Sequence, residues 1–495
     1  MTRNNCELYL AVTRPDNTKM PARFSISSAS LHVCAALSAI FLAAQPPAAS
    51  AQSPAVPVAA PDASSNAGPV TLFPHSDSHR WWISGQGNVV FQWHPAFPAK
   101  YSGPNSLTPE AQSATTHVLS LYLGFEVSHN TEVLADVEDA TGGGIGTSVG
   151  LAGITDLDSV RTVQGVQLSR APYLARLMLR QIIPLSKQRV SADRDFLDLA
   201  TSLPVRRLEF RVGKFDLADF LDNNSGGTDS HLQFLNWTVD DDGAWDYAAN
   251  TRGYTDGAMI EYDDHLWSVR FAEALMPKVA NGIHLDADLA RSRSENLELE
   301  YGSGFLHHRE GAIRVLAYVN TADMGNYREA IEEYDAHEVT VPSIIATRRE
   351  GRNKYGFELN LEQDLTAHFG VFSRLGWSDG RNESFAYTED DRTGEFGDYF
   401  RGSWWRRAND RAGTVFVING ISGDHRVYLA DGGLGFLLGD GALTYGQEKI
   451  FEGYYTVHMW RGLFAAFDAQ HINNPGYNMA RGPVVVPGLR LHADF

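Results

Sequence analysis

The twelve residues VVVPGLRLHADF (484–495) decide how the rest of the chain is read. Side chains of an extended strand point alternately to opposite faces. Val485, Leu489, Leu491, Ala493 and Phe495 therefore share one face, and Val486, Arg490, His492 and Asp494 share the other. One face is oily, the other carries charge, and the last residue is aromatic.

The same period of two recurs upstream. Leu119, Leu121, Leu123 and Phe125 line up in 117–126, and Leu208, Phe210 and Val212 oppose Arg207, Glu209 and Arg211. Val133, Ala135 and Val137 oppose Glu132, Asp136 and Glu138; Phe357, Leu359 and Leu361 oppose Glu358, Asn360 and Glu362. In 173–180, Tyr173, Ala175, Leu177 and Leu179 are expected opposite Arg176 and Arg180. A soluble β-sandwich also alternates, but here charges fill the polar face at successive positions while the apolar face is rich in Leu and Phe. That is the pattern of a barrel with water inside and lipid outside. A closing strand that ends on Phe495 fits a recognition signal for outer-membrane barrel assembly.

Composition agrees. The 495 residues have a mean hydropathy of −0.25, as a barrel facing lipid with every second residue would. Forty-five glycines and 11% aromatic residues suit many strands, turns and interfacial girdles. The net charge is −19. No basic stripe is present to follow a phosphate backbone, so nucleic acid is not an expected partner.

The N-terminal segment reads as an address. LHVCAALSAIFLAA (31–44) follows Lys19 and Arg23 and precedes Ala49-Ser50-Ala51, the arrangement of a signal peptide cleaved before Gln52. The 19 residues ahead of Met20 are unusually polar for such a segment, so Met20 is the expected start of translation. Cys6 and Cys34 both lie within 1–51, which leaves a cysteine-free mature chain and excludes thiol catalysis and Cys-based zinc sites. Residues 52–74, rich in Pro, Ala and Ser, are expected to be a linker. Residues 75–495 then form one domain.

Several motifs point elsewhere and are weak. Gly146-Thr147-Ser148-Val149-Gly150 fits the G-x-S-x-G nucleophile pattern, but Gly142-Gly143-Gly144 stand where an elbow requires a strand. Gly433, Gly435 and Gly439 do not complete a phosphate-binding fingerprint. Apart from the pair His307-His308, the histidines are scattered, and no H-E-x-x-H spacing occurs. Asp222-Asn223-Asn224-Ser225 and Asp240-Asp241-Asp242-Gly243 are oxygen-rich but lack the calcium-loop register, so a solvated extracellular loop is expected there. No metal or cofactor is expected. Neighbouring acids such as Glu332-Glu333 cannot face each other across a glycosidase cleft; an exported hydrolase acting on glycan or lipid is the rival reading.

YSGPNSL (101–107), GGGIGTSVGLAG (142–153), PYLARLMLRQIIPL (172–185), FRVGKFDLADFLDNN (210–224), REGAIRVLAYVNTADMGNY (309–327) and the closing QHINNPGYNMARGPVVVPGLRLHADF (470–495) together resemble the carbohydrate-selective porin family of OprB type. The resemblance runs from about residue 81 to the end. It implies an all-β transmembrane antiparallel barrel of about sixteen strands with infolded loops in the outer membrane, passing mono- or oligosaccharides passively. The implied partners are sugars, outer-membrane lipid and the barrel-assembly machinery. Arg176, Arg180, Glu209, Arg211, Glu358 and Arg374 fall on polar faces and are the candidates for lining the pore and contacting solute. Arg211 in particular is expected to hold its head in lumen water. Sequencing the N-terminus of the membrane-extracted protein should return Gln52; a chain retaining 31–44 would overturn the export reading.

Overall fold

Alternation at period two produces sixteen antiparallel strands closed into a barrel. The structure is a computed structural model and describes residues 70–76, 78–163, 168–302, 309–385 and 388–495. The expected signal peptide, the linker up to residue 69, Cys6, Cys34 and His307-His308 lie outside the described residues.

In chain order the barrel strands are β1 (Trp81–His94), β2 (Gln112–Ser128), β3 (Thr131–Gly142), β4 (Tyr173–Pro184), β5 (Arg206–Phe215), β6 (Thr255–Asp264), β7 (Trp267–Ala274) and β8 (Arg293–Gly302). They continue with β9 (Gly311–Met324), β10 (Arg349–Asp364), β11 (Phe369–Ser378), β12 (Arg392–Arg401), β13 (Arg411–Gly420), β14 (Glu448–Trp460), β15 (Leu463–Asn473) and β16 (Val484–Asp494). Each pairs with its sequence neighbours, and β1 pairs with β16. No strand edge remains in the ring, which is what a sheet needs where no water can satisfy its backbone. No helix among the described residues is long and apolar enough to cross a membrane.

The faces are those expected. Leu119, Leu121, Leu123 and Phe125 point outward and are exposed, whereas Val118, Ser120 and Tyr122 between them are buried inside. Leu489 and Leu491 face out; Arg490 and His492 face in. One assignment differs. Ala175 is fully buried while Leu174 is exposed, because the β3–β4 register shifts between Asp136↔Arg176 and Val137↔Leu174. The extra residue of this bulge turns Tyr173 and Ala175 inward, and the Tyr173 hydroxyl donates to Glu138.

Closure extends to the last residue. The Phe495 N–H donates to the Gly85 carbonyl at 2.8 Å, and the Gly85 N–H donates back at 2.6 Å. The Phe495 ring covers Gly85 so closely that a Cβ there would lie 2.7 Å from a ring carbon and 2.6 Å from the Ser120 carbonyl oxygen.

The two rims differ. At the Phe495 end, β2–β3, β6–β7 and β14–β15 are joined by two residues each. At the other end the connections include 143–172, 216–254, 325–348 and 421–447. Short turns mark the periplasmic rim and long loops the extracellular one. Residues 216–254 turn into the barrel, and most of them are buried. Residues 143–172 join them there: the Trp237 N–H donates to the Ile154 carbonyl. From the periplasmic side, the β4–β5 connection, with its short ribbon Arg189–Ser191 and Ser202–Pro204, inserts Leu199 against Gly124.

Gly85→Val should cost about 1–3 kcal/mol through overpacking at the closure. Gly87→Val should cost much less, since its Cβ would meet only Leu119 at 3.7 Å. The temperature at which the barrel loses its compact electrophoretic migration should fall for the first variant and hold for the second.

Candidate functional site

Long strands at alternate positions place acids and arginines on the inner wall at matching heights, and the side chains pair across strands. On β3 and β4, Arg176 meets Asp136, and Arg180 meets Glu132 at 3.1 Å. Arg180 continues to Glu209 of β5 at 2.7 Å. Glu209 also holds Arg211 at 2.7 Å, and Arg211 holds Glu261 of β6 at 2.7 Å. Glu261 meets Arg270 of β7, which bridges Glu298 and Glu300 of β8, each at 2.7 Å. Glu300 leads to Arg314 of β9 at 3.2 Å, and Arg314 to Glu362 of β10 at 2.8 Å. The result is a ladder of alternating charge spanning eight strands.

Four of the six sequence candidates, Arg176, Arg180, Glu209 and Arg211, belong to this ladder. The other two, Glu358 and Arg374, lie farther round the wall. All six face inward and are almost fully covered. The expectation of free lumen water around Arg211 is corrected: it is 7% exposed, paired with two carboxylates, and its guanidinium lies 4.6 Å from the centre of the Phe220 ring. The infolded loop supplies Phe220, a contact that no local pattern in β5 announces. Arg270, Glu298, Glu300 and Arg314 were missed, although Leu297, Leu299 and Tyr301 around the two glutamates carry the same alternation.

Glu209, Glu261 and Asp263 approach closely enough to suggest a cation site. Arg180, Arg207, Arg211 and Arg270 already occupy their oxygens. The group is an ion-pair network.

Arg374 has a different task. Its Nε donates to Asp222 at 2.6 Å, and Nη1 donates to the Val239 carbonyl at 2.6 Å and to Glu395 at 2.8 Å. Nη2 donates to the Asp222 carbonyl, the Thr228 hydroxyl and the Asp240 carbonyl. Both oxygen-rich stretches that were expected to be solvated thus converge on one buried guanidinium. Asp222 is buried because Arg374 provides the positive charge and donors that water would have provided, and Asp241 and Asp242 are buried beside it. Gly376 makes room, since a Cβ there would lie 2.0 Å from Asp242.

Other wall residues fasten the same loop. Glu452 accepts from the Leu235 N–H at 2.6 Å, and Arg490 donates to the Ser230 and Gln233 carbonyls at 2.8 and 2.9 Å. Across the lumen Asn296 accepts from the Trp245 indole at 3.0 Å, and the Tyr318 hydroxyl donates to the Ala244 carbonyl at 2.8 Å. Loop 143–172 is held by Asn88 on Asp158 and Thr116 on Asp156. The G-x-S-x-G residues form a turn with Gly146, Thr147 and Ser148 at positive φ; Thr147 is exposed, while Ser148 is buried and its hydroxyl donates to Ser159. No strand-to-helix elbow is built there.

A closed sixteen-stranded barrel, two infolded extracellular loops and a charged inner wall make a porin. The sequence matches the carbohydrate-selective porin family, OprB, over residues 104–495. The chain belongs to that family. Among solved structures, the high-pH structure of OprB from Pseudomonas putida is similar with a TM-score of 0.59 at 12% identity, covering 84% of this chain and 94% of that one. The low-pH structure of the same protein gives a TM-score of 0.44 at 10% identity, covering 84% and 92%. The outer-membrane channel DcaP of Acinetobacter baumannii gives 0.45 at 9%, covering 84% and 97%. No curated protein sequence matches the chain. The protein is an outer-membrane carbohydrate porin, a channel and not an enzyme.

The loop's acids set a pH dependence. Burial, reinforced by the neighbouring Asp222, pushes the Asp242 carboxyl up to about 8. A free Asp ionises near ~3.9, so between about pH 4 and 8 the docked loop holds a proton that the undocked loop releases. Docking therefore weakens as pH rises across that window and is weakest once Asp242 ionises. Protease cleavage within 216–254 should increase from about pH 4 to about pH 8 and level off above. Asp242→Asn, which keeps the acceptor used by the Ala244 N–H but cannot ionise, should flatten the rise. An unchanged rise in the variant would assign the effect to another group.

Proposed function

We propose that this carbohydrate porin passes uncharged mono- and oligosaccharides beside the arginine–carboxylate ladder of β3–β10, where the infolded loop packs on it through Phe220. Sugars present C–H faces that pack on aromatic rings and hydroxyls that hydrogen-bond to charged groups. The ladder offers both beside half-buried aromatic residues: the Arg176 guanidinium lies 5.6 Å from the centre of the Phe196 ring, and Phe220 backs Arg211. The partly exposed Phe220 and Phe196 are the proposed solute contacts; Arg176, Arg180, Glu209 and Arg211, nearly covered, line the passage indirectly by holding those rings and one another. Arg374 acts on solute indirectly, through the loop it holds, and Glu358 through Arg374, 3.8 Å away.

The observation that carries the preference for uncharged sugars is the loop's own composition. Residues 216–254 contain eight Asp and one Arg, Arg252; even with Asp216, Asp240, Asp241 and Asp242, whose carboxyls burial pushes up, holding protons, Asp219, Asp222, Asp229 and Asp246 leave the loop net acidic. A narrow lumen with low-dielectric walls concentrates such a field and repels anions. Export by the N-terminal segment, insertion by the barrel-assembly machinery with Phe495 as its signal, and a belt of outer-membrane lipid complete the proposed setting.

Liposomes carrying the refolded protein should swell in neutral mono- and disaccharides, and more slowly in sugar phosphates of the same size. In a salt gradient the reversal potential should have the sign of cation preference. Phe220→Ala should weaken sugar block of single-channel current by about tenfold, the equivalent of ~1.4 kcal/mol. Arg211→Ala is a poorer probe, because it strands Glu209 and Glu261 and should destabilise the barrel by about 3–5 kcal/mol. Equal permeation by neutral and phosphorylated sugars would refute the charge preference.

A further inference from the structure

The β12–β13 connection at the periplasmic rim behaves unlike its neighbours. Among the described turns at this end, those of two residues stay on the rim and the β4–β5 connection folds inward. Residues 402–410 instead fold outward over the lipid face. Trp405 donates its indole N–H to the Tyr455 hydroxyl at 3.1 Å, and that hydroxyl donates to Asp410 at 2.7 Å. Trp404 stacks on Phe400 with ring centres 5.6 Å apart. Phe400, Ala412 and Tyr455 occupy outward positions of β12, β13 and β14. The small Ala412 thus becomes the floor of a shallow notch, open to the lipid side, with a volume of about 400 Å³ and edged by Phe400, Trp404, Trp405 and Tyr455.

The connection is braced, so the notch is preformed. The Gly402 N–H donates to the Asp410 carbonyl at 2.8 Å, and the Arg407 N–H to the Gly402 carbonyl at 2.9 Å. Arg407 bonds to Asp410 and to the His458 carbonyl, while the His458 ring reaches the Arg461 carbonyl. His458 therefore ties the connection to the β14–β15 turn. Two arginines belong to this junction, Arg406 in the connection and Arg461 in the turn that His458 ties to it. Arg406 is exposed, with φ at +68°. Arg461 is exposed and lies 4.7 Å over the Trp460 ring. Neither has a carboxylate partner within salt-bridge distance, whereas the neighbouring Arg401, Arg407 and Arg411 each have one.

We propose that this notch binds one phospholipid of the periplasmic leaflet, seating an acyl chain between Trp404 and Tyr455 over Ala412 and holding the phosphate with Arg406 and Arg461. An aromatic girdle alone has no reason to build a braced concavity, nor to set cations beside it without counter-charges. A lipid phosphate supplies the missing anion, and guanidinium–phosphate hydrogen bonds are strong where water is scarce.

The test uses the full barrel in detergent, titrated with dioleoylphosphatidylglycerol or with dioleoylglycerol, which lacks the phosphate, and read by native mass spectrometry. A one-to-one adduct with the phosphatidylglycerol should persist, and the diacylglycerol adduct should be about tenfold weaker. Ala412→Leu, which fills the floor with a side chain suited to the lipid face, should weaken the phospholipid adduct by a similar factor while leaving heat-modifiable migration unchanged. Arg406→Gln should remove the preference for the phosphate. Equal retention of both lipids, or retention unaffected by Ala412→Leu, would overturn the site and leave an ordinary girdle. Sugar-driven liposome swelling should be the same in both variants, so failure of the lipid site and failure of the transport reading are separate results.

Discussion

The guanidinium of Arg374 is the point on which the interior turns. It is buried, it faces Asp222 and Glu395, and it collects three backbone carbonyls from the infolded loop. A buried arginine without these acceptors would be strongly unfavourable, and the loop's acids without the arginine equally so. Each makes the other's burial possible. The loop is consequently fixed across the lumen, where Glu452 and Arg490 hold its middle and Asn296 and Tyr318 its far side. The width and polarity of the passage follow from that anchorage more than from the barrel's circumference.

The rest of the wall obeys the same rule at lower stakes. Arginines and carboxylates alternate from strand to strand, so each charge has opposite neighbours on both sides. Such a ladder adds little net stability compared with an apolar wall. Its value lies in polarity that does not collapse: charged groups held by one another line a passage without each needing its own shell of bulk water. Phe220 and Phe196 lie against that polar surface, so ring faces and hydrogen-bonding groups occur together.

Much of this was legible in the chain. Period-two alternation gave the faces of β2, β5, β10 and β16 residue by residue, since a half-buried strand has no other way to satisfy lipid and water together. It also identified Arg176, Arg180, Glu209 and Arg211 as inward. The face of Ala175 was misread because a bulge is set by the register of the partner strand, which local sequence does not contain. Asp240 to Asp242 were read as solvated because an acidic, glycine-flanked run ordinarily is; the loop is drawn into the lumen instead, where Arg374, 152 positions from Asp222, takes the Asp222 carboxylate and the Asp240 carbonyl. The packing of Phe220 on Arg211 was illegible for the same reason. What depends on neighbours along the chain was readable, and what depends on distant pairing was not.

The loop's anchorage also orders events in time. Residues 216–254 leave the ribosome well before Asn296, Tyr318, Arg374, Glu395, Glu452 and Arg490, to which they bind. Until β11 is in place, Asp222 has no counter-cation, although Asp219 can already meet Arg176 of β4. Until β16 closes on β1, the far end of its berth does not exist. The loop's berth is therefore complete only when strands from β8 to β16 stand together in the wall. Long-range contacts of this kind are slow to form. The barrel thus acquires the narrowness that makes it selective only once those strands stand together.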